Sequence, residues 1–361
     1  MRSRLLWLVL AVSSPVFAQH YLQTNLVSDE PGNARFTDAH LVNAWGLVSS
    51  ATSPWWVSNN GTLTSTLYDG NGVARTLVVS IPGPPTGVVF NGGAGFVVHS
   101  GTTSGPARFI FATEDGKIAG WNPAVPAGST RAVVGSDQSA RGAVYKGLAI
   151  ATNAAGTFLY ATDFHNGAVD VFDSAFTLVD SFTDGRLPHG YAPFGIQAIG
   201  PVVYVTFARQ DKAAHDDVPG KGRGFVDAFD TTGVLLQRIA SRGSLDSPWG
   251  IALAPASFGA FAGDLLVGNF GDGRINAFDP IATGPEGQLH SKGQLLTDTC
   301  APLSIDGLWA LQFGNGTGSG PTGTLYFTAG PQEESHGLFG NLVPTAGPDC
   351  PPPPDDEASE D

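Results

Sequence analysis

One stretch of this chain brings together side chains that bind cations. One histidine and three carboxylates lie within seven positions, at Asp211, His215, Asp216 and Asp217. Carboxylate oxygens are the ligands that Ca²⁺ and Mg²⁺ prefer. The glycines that follow, from Gly220 to Gly224, would let the stretch fold back over neighbouring residues. The composition indicates either a divalent-cation site or a solvated lid, and both interpretations stay open.

Four further polar residues end equivalent apolar runs, and these are Asn59, Glu114, Asp163 and Asn269. Turn sequences follow them, such as Asn60-Gly61 and Asp272-Gly273, and turn geometry alone explains the residue beside each glycine. Turn geometry does not explain the residue that ends each run. We expect these four residues, with His189 and His336 from neighbouring loops, to line a ligand site.

His165 is the best single candidate for general acid–base chemistry, because imidazole titrates near neutral pH. A lone histidine in a turn is more often just exposed or bonded to backbone. The chain contains neither a Gly-x-Ser-x-Gly elbow nor a His-Glu-x-x-His pair, so His165 has no nucleophile or zinc-protease motif beside it. The sequence leaves open whether the protein is an enzyme.

A repeat predicts the elements that position these residues. The repeat unit consists of a short strand, an apolar strand that ends in a polar turn, and a third strand that often ends in Phe-Asp. It recurs six times, most clearly from Pro248 to Asp279. A unit repeated roughly every 40 to 60 residues is typical of a β-propeller. A glycine recurs in the first strands, near residues 46, 87, 147, 195, 250 and 307, where backbones would crowd around the axis. We predict an all-β fold, a six-bladed β-propeller over residues 19–347.

The sixth copy lacks a fourth strand, since Pro344 and a Pro-rich tail follow Val343. The N-terminal segment from Tyr21 to Val27 has the composition of a spare strand. We predict that it pairs with the strand from Leu338 to Val343, completes the last blade and closes the ring. Closure of this kind removes open sheet edges.

The two ends of the chain differ from the repeats. Residues 1–18 join Arg2 and Arg4 to an apolar run and to Val16-Phe17-Ala18, the pattern of a secretory signal peptide. Residues 348–361 are rich in proline and acidic residues, which predicts a disordered tail. We therefore expect a secreted or periplasmic protein that begins at Gln19 and has no membrane anchor.

The charge of the chain narrows the classes of molecule that it can bind. A formal net charge of −14 without a basic cluster argues against nucleic acid and anionic membranes. We expect a monomer whose partner is a small molecule, a glycan or a protein.

Cys300 and Cys350 flank the sixth repeat. In an exported protein they can form a disulfide, and free or intermolecular thiols are the alternative.

Several motifs resemble an uncharacterised family of secreted bacterial propeller proteins, some of which end in a PEP-CTERM sorting tail. These motifs are His20 to Asp29, Leu41 to Leu47, Ala161 to Gly167, Gln210-Asp211 with His215 to Asp217, and Gly268 to Gly273. The resemblance implies a six-bladed propeller and export, but no established activity. No PEP motif follows Cys350, so the sorting function is not carried over. The repeat is more distantly similar to NHL-repeat propellers and to metal-dependent lactonase and lyase propellers.

Two functions from different classes fit these residues. The leading hypothesis is a secreted binding or scaffold module that uses its polar axial face. The competing hypothesis is a divalent-metal-dependent hydrolase, similar to a lactonase, or a lyase. Its Ca²⁺ or Mg²⁺ would lie among the four residues that end the apolar runs, with His165 as general base. The sequence does not identify the cofactor or the ligand.

Overall fold

The computed structural model describes residues 20–283, 289–347 and 350. The predicted signal peptide and nearly all of the predicted tail lie outside these residues. Within them, helical structure is limited to the 3₁₀ segments Asn60–Thr62, Ser139–Arg141 and Gly259–Phe261. No helix in this part of the chain has the length and apolar character that crossing a membrane requires.

Six sheets of four or five strands, whose strands pair antiparallel apart from one short parallel pair, form the blades of a propeller. The chain begins with β1 (His20–Ser28) and β2 (Phe36–Thr37). Blade one contains β3 (Ala44–Val48), β4 (Trp55–Asn59), β5 (Thr64–Tyr68) and β6 (Ala74–Ser80). Blade two contains β7 (Pro85–Phe90), β10 (Phe109–Thr113), β11 (Lys117–Trp121) and β12 (Val133–Asp137), with an inserted hairpin of β8 (Val97–Ser100) and β9 (Thr103–Pro106). Blade three contains β13 (Tyr145–Asn153), β14 (Gly156–Asp163), β15 (Ala168–Phe172) and β16 (Leu178–Phe182).

The remaining blades follow the same plan. Blade four contains β17 (Tyr191–Ile199), β18 (Val202–Arg209), β19 (Gly224–Asp230) and β20 (Leu235–Ser241). Blade five contains β21 (Pro248–Leu253), β22 (Leu265–Asn269), β23 (Ile275–Thr283) and β24 (Leu289–Gln294). Blade six contains β25 (Leu308–Phe313), β26 (Leu325–Ala329) and β27 (Leu338–Thr345). The predicted six-bladed, all-β architecture is confirmed.

The N-terminal strand closes the ring, as the sequence predicts. β1 pairs antiparallel with β27, with Leu22 opposite Val343 and Ser28 opposite Leu338. Blade six therefore combines the two ends of the propeller. The short strand β2 pairs in parallel with the end of β1, which covers part of the outer edge of that blade.

The first strands of the six blades contact one another in sequence, and the contact between β25 and β3 completes the circle around the axis. Each first strand carries one extra residue relative to its partner strand, as between Ala44 and Leu47 or between Tyr145 and Leu148. An insertion of this kind is a β-bulge, which bends a strand and redirects a side chain. The bulges decide which side chain of each blade faces the axis.

The recurrent glycines lie at these bulges. A Cβ atom on Gly195 would lie 2.1 Å from the carbonyl oxygen of Trp249 in the next blade, and one on Gly87 would lie 2.2 Å from the nitrogen of Leu148. Close approach of neighbouring backbones therefore requires glycine here. Blade six differs from the prediction. Gly307 lies before β25, and Ala310 occupies the equivalent position at the bulge.

The structure joins Cys300 and Cys350 in a disulfide, with their Cα atoms 5.5 Å apart. Cys300 lies between β24 and β25, and Cys350 follows β27. The disulfide therefore joins the segment before β25 to the segment after β27, at the blade where the ring closes.

Candidate functional site

One residue of each first strand projects from its bulge toward the axis. These residues are Trp45, Thr86, Lys146, Phe194, Trp249 and Trp309. Five of the positions hold uncharged side chains, and the sixth holds a lysine. Because equivalent positions of a repeat meet the same packing demand, the fold itself does not explain a charge at Lys146.

The aromatic members of this ring fill the axis. The rings of Trp45 and Trp309 stack with centroids 3.6 Å apart, and Trp249 meets both edge-on. Phe270 stacks on Trp309 at 4.0 Å. Beyond this aromatic layer the first strands enclose a cavity of about 20 Å³, room for about one water molecule. Lys146 lies at the other end of the axis, beside the loops that join second strands to third strands.

Lys146 is buried, with 3% of its side chain exposed, and carboxylates from two other blades hold it. Its Nζ atom donates to Glu114 Oε1 at 2.5 Å and to Asp216 Oδ1 at 3.0 Å. The same nitrogen lies 5.3 Å from the centroid of the Trp45 ring, within range of a cation–π interaction. The ammonium group thus has charged partners that offset part of its desolvation.

The two ion pairs keep Lys146 charged. Burial on its own lowers the pKa of Lys146, but the negative charges of Glu114 and Asp216 outweigh burial, and the pKa is raised. Burial raises the pKa of Asp216 and the charge of Lys146 lowers it, with a net lowering. Lys146 therefore acts as a fixed positive charge rather than as a neutral amine nucleophile.

A chain of hydrogen bonds extends this cluster around the axis to blades one and six. Asn60 donates to Glu114 Oε2 at 2.7 Å, and Asn43 donates to Glu334 Oε2 at 2.6 Å. The indole nitrogens of Trp45 and Trp309 both donate to Asn43 Oδ1, at 2.8 and 3.1 Å. The aromatic layer therefore orients Asn43, and Asn43 orients Glu334. We call Asn43, Asn60, Glu114, Lys146, Asp216, Asp217 and Glu334 the Lys146 cluster.

Two carboxyl groups of the cluster hold their protons unusually tightly. Burial raises the pKa of Asp217 to about 6, and its Oδ2 atom is buried without a hydrogen-bond partner among the described residues. Burial also raises the pKa of Glu334, although Asn43 and the charge of Lys146 oppose the rise. Groups with perturbed pKa values beside a fixed charge are common at functional sites.

Asp216 and Asp217 belong to residues 210–223, which we call the blade-four loop. The loop is anchored at both sides. Gln210 Nε2 donates to the carbonyl oxygen of Phe164 in blade three at 2.6 Å, and the Gly220 amide donates to Asp246 Oδ1 before blade five at 2.6 Å. The structure thus folds the loop over the axial face, and Asp216 reaches Lys146. His215 Nδ1 lies 2.9 Å from Asp216 Oδ1, and Asp211 accepts the amide of His215.

One possible metal-ligand set includes residues of this loop. One ligand atom of each of Glu114, His215 and Asp216 lies within 4.8 Å of the others. Lys146 already donates to both carboxylates of this set. A divalent cation and the Lys146 ammonium would therefore compete for the same oxygens.

The residues that end the second strands lie elsewhere than expected. Asn59 donates to Thr64 and Thr66, Asp163 accepts from Asn166, and Asn269 donates to Asp272. All three side chains are buried and bond within their own hairpins, and Asp163 and Asn269 also bond the backbone just before their blades, at Val144 and Ser244. The residue one position later faces the axis instead, as with Asn60, Phe164 and Phe270. Of the four expected residues, Glu114 joins the Lys146 cluster, because β10 ends one residue before it.

Besides His215, the sequence predicts three site histidines, and they lie around the face rather than in the cluster. His165 is exposed in the turn after Phe164. His189 is exposed in the loop between β16 and β17. His336 Nδ1 lies 2.8 Å from Asp29 Oδ2, and this hydrogen bond raises the pKa of His336. His336 thus links the turn after β1 to blade six.

Sequence reasoning missed Lys146. In the five repeats that have a first-strand glycine, the residue before it is Trp45, Thr86, Lys146, Phe194 or Trp249, and this column shows one lysine among uncharged residues. Asn43, Asn60 and Glu334 are visible in the sequence as polar loop residues. Other polar turn residues surround them, and the sequence does not distinguish the three that join the cluster.

Comparison with known proteins supports the fold and identifies relatives. No protein-family model matches the chain. A solved protein of unknown function from Bacteroides thetaiotaomicron aligns with a TM-score of 0.56 at 11% identity, over 90% of this chain and 76% of that chain. A luciferin-regenerating enzyme aligns with a TM-score of 0.50 at 13% identity, over 85% of this chain and 94% of that one. At such identities the likeness concerns the fold alone.

Two uncharacterised proteins of Acanthamoeba polyphaga mimivirus are much closer in sequence. One is 33% identical over 88% of this chain and 78% of its own length, and the other is 34% identical over 88% and 84%. These relatives are viral, so the bacterial family suggested by the motifs, with its export and sorting tail, stays a prediction. The chain belongs to the same protein family as these two viral proteins.

Proposed function

We propose that this protein is a propeller binding module whose axial face binds a cationic ligand at the Lys146 cluster. The observation that carries the proposal is an imbalance of charge. Four carboxyl groups, from Glu114, Asp216, Asp217 and Glu334, lie near one ammonium group, at the end of the axis that the blade-four loop covers. Such a site attracts positive charge to a face framed by low-dielectric walls.

The placement of Lys146 supports a role beyond folding. A buried ion pair is weak evidence for stability, because desolvation offsets its Coulomb energy. Four of the five equivalent positions in the other blades hold tryptophan or phenylalanine, which pack the axis without that cost. A buried lysine with carboxylates from two other blades therefore favours recognition over packing.

The blade-four loop supplies the part of the site that meets solvent. The Asp216 side chain is 64% exposed although it contacts Lys146, and His215 beside it is 48% exposed. An amine, a guanidinium group or a divalent cation such as Ca²⁺ or Mg²⁺ could reach Asp216 without rearrangement of the blades. A metal ion would bind here by displacing the ammonium from Glu114 or Asp216.

Thermal melting with a small set of ligands tests the proposal. Ca²⁺, Mg²⁺ and spermidine are compared with glucose, for the wild type and for Glu114→Gln and Glu334→Gln. Asp180→Asn, on the exposed face of β16, is the matched control. Binding to the native state alone raises the Tm by mass action, so at least one cation should raise the Tm of the wild type and the control. Both Gln variants should lose that rise.

Two results would contradict the proposal. One is a Tm that no cation changes. The other is an equal cation response in the wild type and both Gln variants. A rise with glucose alone would instead point to a neutral, glycan-like ligand.

Acid–base catalysis is a second candidate, and the pKa of Asp217 favours it. A carboxyl group whose pKa is raised to about 6 can exchange a proton near neutral pH, and Lys146 could stabilise a developing negative charge. A panel of lactones and esters, assayed with and without chelator, tests this function. Activity that resists chelator and disappears in Asp217→Asn would assign acid–base chemistry to the cluster. Activity that chelator abolishes would favour the metal-dependent hydrolase or lyase.

We also propose that the protein is exported, to a secreted or periplasmic location. The supporting observation is the signal-like composition of residues 1–18. Mass spectrometry of material from outside the producing cell tests it, and a chain that starts at Gln19 is expected. An intact Met1 on such material would contradict cleavage.

A further inference from the structure

Three side chains with metal-binding atoms meet where the propeller ring closes. His20 begins β1, Cys300 precedes β25, and Cys350 follows β27. One ligand atom of each lies within 4.8 Å of the others. None of the three belongs to the Lys146 cluster, and the proposed function does not use them.

The hydrogen bonding of His20 presents a lone pair to the two cysteines. Its Nδ1 atom lies 2.5 Å from the carbonyl oxygen of Thr297. A carbonyl oxygen only accepts, so the neutral imidazole carries its proton on Nδ1 and its lone pair on Nε2. The Nε2 atom lies 3.5 Å from Cys350 Sγ. Metal-ligating histidines have this same arrangement, with one ring nitrogen on a carbonyl and the other on the metal.

The surroundings of His20 are built to hold the ring in place. His20 is fully buried, and a Cβ atom on Gly347 would lie 2.2 Å from its Cδ2 atom. Gly347 therefore packs directly on the imidazole. In a tetrahedral zinc site, with Zn–S of about 2.3 Å and Zn–N of about 2.0 Å, a nitrogen and a sulfur ligand lie about 3.5 Å apart. The spacing of Nε2 and Cys350 Sγ already matches that distance.

We propose that reduction of the Cys300–Cys350 disulfide converts this cluster into a zinc site with His20 Nε2 and two thiolates as ligands. A phosphine reductant takes up oxygen from water as it breaks the sulfur–sulfur bond, which yields phosphine oxide and two thiols. Binding of Zn²⁺ then releases the two thiol protons. A water molecule completes the four ligands. The metal takes over from the disulfide in joining the chain before β25 to the chain after β27, and His20 adds β1 to the same link.

Cobalt substitution on the full chain tests the site. The purified protein is reduced with a phosphine, freed of reductant without air, and titrated with Co²⁺ and then Zn²⁺. Four variants are compared with the wild type, namely His20→Gln, the Cys300→Ser and Cys350→Ser single variants, and His99→Ala on the exposed side of β8. Melting of oxidised His20→Gln is measured first, since its disulfide holds the closure without metal.

The reduced wild type and His99→Ala should bind one Co²⁺, with thiolate-to-cobalt charge-transfer absorption and tetrahedral d–d bands. Zn²⁺ should displace the cobalt, and reoxidation should release the metal. His20→Gln should bind about tenfold or more weakly, and the serine variants should lose charge-transfer intensity. The proposal is overturned if the reduced wild type shows no thiolate–cobalt absorption, or if His20→Gln binds as tightly as the wild type.

Discussion

Asp217→Asn offers a quantitative test of the electrostatics at the Lys146 cluster. The Asp217 carboxyl is buried, and its Oδ2 atom has no hydrogen-bond partner among the described residues, so ionisation inside the folded protein is costly. Burial raises its pKa from 3.8 to about 6. At about 1.36 kcal/mol per pH unit, this difference corresponds to about 3 kcal/mol.

The sign follows from proton linkage. Between pH 3.8 and about 6 the folded protein holds the Asp217 proton more tightly than the unfolded chain does. The stabilisation is therefore complete below the unfolded pKa and is lost as pH rises through the folded pKa. Asparagine does not ionise, so Asp217→Asn lacks this loss. Relative to the wild type, the variant should gain about 3 kcal/mol between about pH 3.5 and pH 7.5.

Denaturant unfolding across this pH range measures the difference, and thermal melting gives an independent estimate. For a domain of roughly 330 residues, about 3 kcal/mol corresponds to about 4 °C in Tm. Asp180→Asn removes a carboxylate that is exposed on β16, and its curve should run parallel to that of the wild type. A constant offset between Asp217→Asn and the wild type would refute the reasoning, because it would mean that Asp217 ionises as easily in the folded protein as in the unfolded chain.

Three further predictions concern the axis and the closure. Gly195→Ala should lower the free energy of unfolding by about 1–3 kcal/mol, because its Cβ would overlap the Trp249 carbonyl oxygen. Gly185→Ala, which has open space around it, should be nearly neutral. Equal costs of the two substitutions in denaturant unfolding would contradict the close approach of the backbones. Lys146→Met should lower the free energy of unfolding by about 3 kcal/mol in metal-free buffer, because it leaves Glu114 without its counter-charge, and Ca²⁺ should restore part of the loss; unchanged melting would show that the ion pairs contribute nothing. Deletion of residues 20–28 should cause aggregation on size-exclusion chromatography by exposing the edge of β27, and a monomer with wild-type Tm would refute closure by β1.

The architecture could be predicted because a propeller repeats its local patterns. Apolar runs and glycines are local patterns that can be recognised within each repeat. The aspartates that follow third strands also begin turns, as expected. Asp69, for example, accepts the amides of Asn71 and Val73. Closure by β1 could be predicted as well, because the last repeat lacks a strand and the N-terminus supplies one.

The direction of side chains at the axis could not be predicted from these patterns. One extra residue at a bulge reverses which face of a strand a side chain occupies, and the sequence does not show where the extra residue lies. The sequence also does not show where a second strand stops: Asn59 is the last residue of β4 and bonds within its hairpin, whereas Asn60 lies in the turn that follows and reaches the cluster. The environment of Lys146 also depends on distant residues, since Glu114 is 32 positions away and Asp216 is 70 positions away. The burial of Asp217, which raises its pKa, depends on how the blade-four loop folds, so it could not be predicted from the sequence.

Calorimetric titration tests cation binding at the Lys146 cluster most directly. The cation that gives the largest rise in Tm is titrated into the wild type, Glu114→Gln and Asp180→Asn, at neutral and at mildly acidic pH. We predict one site per chain in the wild type and in Asp180→Asn, weaker binding at acidic pH as Asp217 and Glu334 gain protons, and at least a tenfold loss of affinity in Glu114→Gln. Equal affinity in all three proteins, unchanged by pH, would contradict binding at this cluster.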